Sequence, residues 1–214
     1  MLRFVTGNPG KVAEAETYLD GPVEQFEFDY TEIQSPDLRE IAARGAREAY
    51  ETVGQPVFVE DSGLFVDALE GFPGPYSAYA EDTIGIERIW HLAEPESDRG
   101  AAFRSVIAYC DGEGFDATPD PVDLGERRGP DQAAADRAGA STDGEVDADG
   151  VPVKFFEGMV PGEIVAPRGD GGFGFDPIFE HDGRTFAELS TEEKNAVSHR
   201  GRALARFAEW YADR

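Results

Sequence analysis

Lysine is the scarcest charged residue of this 214-residue sequence, with three lysines beside sixteen arginines, twenty aspartates and twenty-four glutamates. The formal net charge of −25 argues against a protein that holds long stretches of nucleic acid, because such binding needs Lys and Arg to neutralise phosphates. No apolar run approaches the roughly 18 residues of a membrane-spanning helix, and the first residues lack the apolar region of a signal peptide. These absences predict a cytoplasmic protein whose partners include no nucleic acid and no membrane.

Cysteine and histidine are also scarce. A lone Cys110 cannot form an internal disulfide, and three histidines provide no Cys/His cluster for zinc. Any bound metal is therefore expected to have oxygen ligands. The acidic, lysine-poor composition is typical of a protein kept soluble in concentrated salt, where the Debye length falls to about 3 Å at 1 M, and it predicts a salt-adapted, halophilic source.

The apolar pattern alternates between strands and helices in the first half of the chain and then indicates a hairpin, which predicts an α/β fold with a mixed sheet. The predicted strands are 2–6, 56–59 (ending at 60–63), 101–110, a partner within 153–165, and 175–179. The predicted helices begin at Pro9 and at Ser35-Pro36 (ending at Gly54), span 82–93, and run from 190 to about 212 with a break near Val197.

Residues 116–150 interrupt this pattern with ten acidic residues and no aromatic residue. Such a composition cannot build a core, so we predict a flexible acidic insertion between two strands. The chain is then a single domain over 1–214.

The first candidate site is the turn Thr6-Gly7-Asn8-Pro9-Gly10-Lys11, between a predicted strand and helix. Unpaired backbone N–H groups, the positive end of the helix dipole and the Lys11 ammonium suit a phosphate. The turn is not a Walker A loop, which needs Gly where Val5 stands and Ser or Thr where Val12 stands. An ordinary capped turn with a surface lysine is the alternative.

The second candidate is Glu60-Asp61-Ser62-Gly63, with Glu32 upstream. Adjacent strand residues point to opposite faces, so Glu60 and Asp61 converge only if the strand ends there, which Gly63 permits. Carboxylates gathered beside a phosphate site repel it unless Mg²⁺ lies between them. Solvated surface acids are the alternative.

Two further motifs lie in the C-terminal part. In Gly171-Gly172-Phe173-Gly174-Phe175-Asp176-Pro177, a ring could stack on a planar base, or the rings could fill the core around a glycine-rich turn. In Glu193-Lys194-Asn195 with Ser198-His199-Arg200, Lys194 and Ser198 share a face of a continuous helix and could reach one ligand. A salt-bridged lysine at a polar helix start is the alternative.

Together these blocks resemble the inosine triphosphate pyrophosphatase family, the non-canonical purine NTP pyrophosphatases or XTP/dITP diphosphatases. The matching stretches, in family order, are TGNPGK (6–11), EDSGLFVDALEGFPGPYSA (60–78), GFGFDPIF (172–179) and TFAELSTEEKNAVSHRGRAL (185–204). The resemblance implies an elongated mixed α/β sheet with two lobes around a central cleft, and a homodimer. The insertion at 116–150 departs from the family pattern and falls between the motifs.

The resemblance also implies hydrolysis of ITP, dITP or XTP between the α- and β-phosphates, to a monophosphate and pyrophosphate, with Mg²⁺ as cofactor. Glu32, Asp61 and Glu60 would serve the metal, and Asp61 is the candidate catalytic base, although it could instead hold the metal alone. The implied substrate-binding residues are Thr6, Gly7, Asn8, Lys11, Ser62, Phe173, Gly174, Phe175, Asp176, Lys194, Ser198, His199 and Arg200. A hydrolase that releases orthophosphate from nucleotides or phosphoesters, and a non-catalytic nucleotide-binding protein, stay open as alternatives.

Overall fold

The computed structural model describes residues 1–31, 33–115 and 150–214, which form a mixed sheet flanked by helices. The strands are β1 (Leu2–Val5), β2 (Val23–Phe26), β3 (Val57–Val66), β4 (Pro73–Gly74), β5 (Gly100–Cys110), β6 (Lys154–Ile164), β7 (Phe179–His181) and β8 (Arg184–Thr185). The α-helices are α1 (Pro9–Glu16), α2 (Leu38–Val53), α3 (Ser77–Ile84), α4 (Ile86–Ala93), α5 (Thr191–Val197) and α6 (His199–Ala212).

The strand order is β2-β1-β3-β5-β6-β7-β8, with β4 paired to β3. β1 is parallel to both of its neighbours, and the other pairs are antiparallel. This confirms the predicted mixed α/β fold. β5 and β6 form the predicted hairpin, with Phe103 opposite Val160.

The first helices begin and end through local capping. Asn8 caps α1, with its side chain accepting from the Gly10 N–H at 2.8 Å, as the sequence predicts. α2 ends at Gly54, which has the left-handed backbone (φ 59°) that favours glycine. It begins two residues later than predicted, because Asp37 is the capping residue rather than Ser35.

β3 does not end at residues 60–63, so that prediction is wrong. Each of its ten residues pairs with β5, from Val57 opposite Cys110 to Val66 opposite Ala101. Gly63 has a different role from the predicted one. A Cβ at this position would lie 2.1 Å from the Gly74 carbonyl oxygen, so glycine is needed for the close approach of β4.

Two other predicted elements are also corrected. The helix predicted over 82–93 is two helices, α3 and α4, separated by Gly85 with φ 79°. The strand predicted over 175–179 is a 3₁₀ turn, Asp176–Ile178, followed by β7. The predicted break near Val197 is confirmed, because Ser198 separates α5 from α6 and caps the latter.

The site of interest lies where one edge of β3 changes partner. β1 pairs with β3 as far as Val59, and β4 pairs from Leu64 onward. Among the described residues, 60–63 therefore have no strand partner on this edge. On the face that carries Leu64, one apolar cluster lies under α1 and α6 and a second lies around β7 and the 3₁₀ turns. We refer to this gap in strand pairing, which lies between the two clusters, as the cleft.

Glu32 and residues 116–149 lie outside the described residues. The flexible insertion and the single domain over 1–214 therefore stay predictions. Within the described ranges, no helix is long and apolar enough to cross a membrane.

Candidate active site

The turn after β1 brings the Lys11 side chain to the β3 edge. Asn8 and Thr6 organise this turn, since the Thr6 hydroxyl accepts from the Asn8 N–H at 3.1 Å. Gly7 is exposed, and no heavy atom lies within 4 Å of a Cβ built on it. Lys11 extends from the first turn of α1 and places its Nζ 2.8 Å from Glu60 Oε2. The predicted phosphate-binding turn therefore lies directly beside the unpaired stretch of β3.

Glu60 is a buried carboxylate surrounded by donors. Its Oε1 accepts from the Ser105 hydroxyl at 2.7 Å and lies 3.2 Å from Arg200 Nε, while Lys11 approaches Oε2. Burial alone would raise the pKa of this carboxyl, but the charges of Arg200 and Lys11 outweigh burial and hold the pKa well below its usual range. Glu60 is therefore ionised and engaged with two cations and a hydroxyl.

Asp61 lies on the opposite face of β3 from Glu60. The strand continues through both residues, so alternation separates their side chains, and the predicted convergence of the two carboxylates is wrong. Asp61 is half-buried, and its Oδ1 accepts from the N–H of Ser62 at 2.9 Å. Lys11 and Asp61 thus flank the same edge from two sides.

The glycine-rich turn after β6 presents one exposed ring. Phe173 is 71% exposed, and the Lys194 Nζ lies 3.9 Å from its ring centroid. Asp176 is buried and holds both, accepting from the Phe173 N–H at 2.8 Å and from Lys194. Phe175 is buried in the core, so only Phe173 of the two predicted rings faces outward. Gly174 has φ 59°, which turns the chain between them.

The start of α6 completes the cluster. Ser198 accepts from the Gly201 N–H at 2.8 Å and donates to Glu14 of α1 at 3.4 Å. Arg200 contacts the same Glu14 at 3.1 Å. The predicted shared face of Lys194 and Ser198 on a continuous helix is wrong, because Ser198 lies between two helices.

His199 lies beside these charges, partly buried, with its Nδ1 atom shielded from solvent. Burial first, and then the positive charge of Arg200, lower the pKa of its imidazole to about 3. Its ring lies on Phe103, with centroids 5.0 Å apart and planes 11° apart. The imidazole is therefore neutral at neutral pH.

Three contributors were not among the predicted site residues: Glu14, Ser105 and Phe103. Helical spacing could have indicated Glu14, because it lies three residues after Lys11 and shares its face of α1. The alternation of β5 places Phe103 and Ser105 on one face, but the sequence gives no sign that this face meets the site.

The donor set for a cation is smaller than predicted. Glu32 lies outside the described residues, and Glu60 is engaged with cations. Among residues 1–31, 33–115 and 150–214, no group of three His, Cys, Asp or Glu side chains could hold a metal ion. Mg²⁺ is commonly held by one or two carboxylates together with substrate phosphates and water, so the single Asp61 carboxylate at the cleft fits that mode of binding.

A family model for the Ham1 family matches residues 2–130 and 122–210 of the sequence. The chain belongs to the Ham1 family. This confirms the resemblance drawn from the four motifs. The chain is 46% identical over 214 residues to a dITP/XTP pyrophosphatase of Methanopyrus kandleri, and this alignment covers 97% of the chain and 94% of the relative. It is 45% identical over 215 residues to a dITP/XTP pyrophosphatase of Thermococcus kodakarensis, covering 98% and 96%.

Solved Ham1 structures share this fold. The Staphylococcus aureus Ham1 protein matches with a TM-score of 0.74 and 29% identity, covering 99% of this chain and 98% of that one. A HAM1 protein from Coxiella burnetii matches with a TM-score of 0.74 and 30% identity, covering 100% and 98%. These structural matches extend over nearly the whole chain and therefore include the β3 edge and the residues around it.

Proposed function

We propose that this Ham1 family member hydrolyses non-canonical purine nucleoside triphosphates, namely ITP, dITP and XTP, to the monophosphate and pyrophosphate. The observation that carries the proposal is the position of Lys11 and Asp61 on either side of the unpaired β3 edge. On the Lys11 side, Lys194 lies over the exposed Phe173 ring and close to Phe186 of the cluster that contains Leu64. Its relatives from Methanopyrus kandleri and Thermococcus kodakarensis carry the name dITP/XTP pyrophosphatase.

The phosphate chain is proposed to lie along the β3 edge. The turn exposes Gly7 just before α1, with no heavy atom within 4 Å of a Cβ built there, so a phosphate can approach the backbone closely, and Lys11 adds a full positive charge. The N–H groups of Thr6 and Asn8 already donate within the chain. Ser62 follows Asp61 at the same edge and is half-buried. Donors fixed in this way hold the reacting phosphorus in place, which removes much of the entropic barrier to attack.

Asp61 is proposed to orient the attacking water and to accept its proton. A carboxylate acts as a base when it lies within hydrogen-bond reach of the water, and Asp61 is half-buried at the cleft rather than enclosed. Mg²⁺, held by Asp61 with Glu32 as a further predicted ligand, would neutralise phosphate oxygens when bound. The contacts of Glu60 with Lys11 and Arg200 support a role toward these cations rather than toward the metal.

The base is proposed to lie against Phe173, within reach of Lys194, His199 and Arg200. Hypoxanthine and xanthine present a 6-oxo acceptor beside an N1–H donor, whereas adenine presents the reverse pattern. A buried group left unpaired costs about 1–3 kcal/mol, so two mismatches reject ATP by roughly 10² to 10⁴. The 6-oxo edge is shared by guanine, so exclusion of GTP depends on its 2-amino group.

A product-resolved assay tests the proposal. The protein is incubated with ITP, XTP, dITP, GTP or ATP and Mg²⁺ at high KCl, and the products are separated. IMP with pyrophosphate from ITP is the expected result. IDP with orthophosphate would indicate the alternative hydrolase, and nucleotide binding without turnover would indicate a non-catalytic protein.

We also propose that the protein forms a homodimer. Phe72, Tyr76 and Tyr79 expose large apolar surface at and after β4, with 41%, 37% and 71% of each residue accessible. Apolar surface grouped in this way is typical of protein–protein contacts. Light scattering after size exclusion is expected to give twice the 23.3 kDa chain mass.

A further inference from the structure

The orientation of His199 is not fixed by a hydrogen bond at Nδ1. The side chain is partly buried, and its Nδ1 atom is buried with no hydrogen-bond partner among the described residues. Buried polar atoms are nearly always paired in folded proteins, so an unpaired ring nitrogen beside a ligand cleft points to a group supplied from outside the chain.

Phe103 is the residue that fixes the imidazole plane. The two rings are nearly parallel, 11° apart, with centroids 5.0 Å apart. Phe103 is itself held by Phe179, whose ring meets it edge-on at 4.6 Å, and by Phe186, whose ring is stacked at 5.6 Å. It projects from the middle of β5, a strand paired on both sides, so the plane of His199 is set by the sheet.

The stacked rings of Phe103 and His199 lie near the residues that are proposed to bind the purine base. Lys194 lies over Phe173 and also 5.9 Å from the centroid of Phe186, which stacks on Phe103. A neutral imidazole has one donor and one acceptor nitrogen, so its orientation decides which of them faces a base edge. A ring free to tilt would no longer keep its nitrogen in line with the hydrogen-bonding groups of that edge.

We propose that Phe103 is a positioning residue for base specificity, which acts by holding His199 in the one plane that matches a 6-oxo purine. The inference rests on the proposed function, because it assigns a determinant of the same site. Phe103 acts through His199 and is not required to touch the base.

Kinetics of Phe103→Leu on ITP and ATP test this role. An aromatic pair contributes about 0.5–1.5 kcal/mol beyond its buried area, so loss of the stack is expected to lower the ITP/ATP ratio of kcat/KM by up to about tenfold. Phe103→Tyr keeps a flat ring and is expected to restore the ratio. Phe156→Leu is the control for loss of a packed ring, because Phe156 is buried more deeply than the partly buried Phe103 but belongs to the cluster under α1 and α6.

NMR of the histidine rings gives a readout that does not depend on turnover. The chain has only His91, His181 and His199, so three ring signals are expected. In the wild type the His199 ring protons are shifted upfield by the Phe103 ring, and in Phe103→Leu this shift is lost while the other two signals hold. If that variant does not fold, Phe103→Met keeps the volume without the flat ring.

The outcomes separate the two proposals. A wild-type protein that does not turn over ITP refutes the proposed function and the specificity role with it. Normal ITP hydrolysis with the same ITP/ATP ratio in Phe103→Leu, or a wild-type His199 without the upfield shift, overturns the role of Phe103 alone.

Discussion

Glu60→Gln removes one charge from the most enclosed acid of the site. The carboxylate contacts Lys11, Arg200 and Ser105, and its side chain has no accessible surface. Breaking a buried ion pair by removing one partner costs about 3–5 kcal/mol, because the remaining charges lose their counter-ion. Glutamine keeps one oxygen for Ser105, so we expect the lower value, about 3 kcal/mol.

Thermal unfolding measures this loss. For a domain of this size, 1 kcal/mol shifts Tm by about 2–4 °C, so Glu60→Gln is expected to lower Tm by roughly 6–12 °C. Glu24→Gln is the matched control, because Glu24 forms a surface ion pair with Arg3 and its side chain is 40% exposed. Such pairs contribute at most about 1 kcal/mol.

The pH dependence has a definite sign. The folded-state pKa of Glu60 is lowered from the ordinary value of 4.5, so its contribution is fully present above pH 4.5 and decreases as the pH falls below it. The Tm difference between wild type and Glu60→Gln is therefore expected to be constant near neutral pH and to shrink below pH 4.5. The Tm difference between wild type and the control variant Glu24→Gln is expected to change much less over the same pH range.

The Mg²⁺ dependence decides between two roles for Glu60. As a counter-ion for Lys11 and Arg200, it is expected to affect KM for ITP and leave the half-saturating Mg²⁺ concentration unchanged. A variant with unchanged Tm and KM but a tenfold higher Mg²⁺ requirement would refute this reasoning and make Glu60 a metal ligand, as the sequence pattern suggested.

The site and the composition lead to five further predictions. Asp61→Asn is expected to lower kcat by at least about 10² while nucleotide binding by equilibrium dialysis persists, and wild-type rates would remove Asp61 from the chemistry. Phe173→Ala is expected to raise KM by about 5- to 150-fold if the ring stacks on the base, and an unchanged KM would exclude stacking. EDTA is expected to abolish turnover and excess Mg²⁺ to restore it, whereas activity in EDTA would exclude a metal requirement. Deletion of 117–149 is expected to leave activity nearly intact at high KCl, and a deletion variant that misfolds would contradict this. The Tm of the wild-type protein is expected to rise with KCl, because salt screens repulsion within a chain of net charge −25, and a Tm that falls with KCl would contradict this.

Elements defined by local chemistry could be predicted from the sequence. Asn8 and Pro9 determine the start of α1, and Gly54 ends α2, because caps depend on a few adjacent residues. Gly63 was misleading, because glycine at the end of an apolar run usually marks a turn. Glycine is needed at this position because the Gly74 carbonyl, which belongs to a later segment of the chain, packs closely against it.

The site could be predicted only where its residues lie in contiguous motifs. Lys11, Asp61 and Lys194 each stand in such a block, and the fold places Lys11 and Asp61 at the same stretch of β3 and Lys194 over the Phe173 ring. Ser105 and Phe103 could not be assigned, because each acts through a contact between elements far apart in the chain. Strand pairing and helix packing create these contacts, and neither is encoded in a local pattern.

The three lysines illustrate why scarcity is informative in this chain. Lys11 and Lys194 each pair with a buried carboxylate, Glu60 and Asp176, and their side chains are 24% and 16% exposed. Lys154 is buried, with its Nζ 5.4 Å from the Trp210 ring centroid. A charge on an open surface is screened within about 3 Å at 1 M salt, whereas enclosed pairs are screened much less. The three lysines are therefore buried or partly buried, in environments where salt screens their interactions less than at an open surface, and two of them form ion pairs with buried carboxylates.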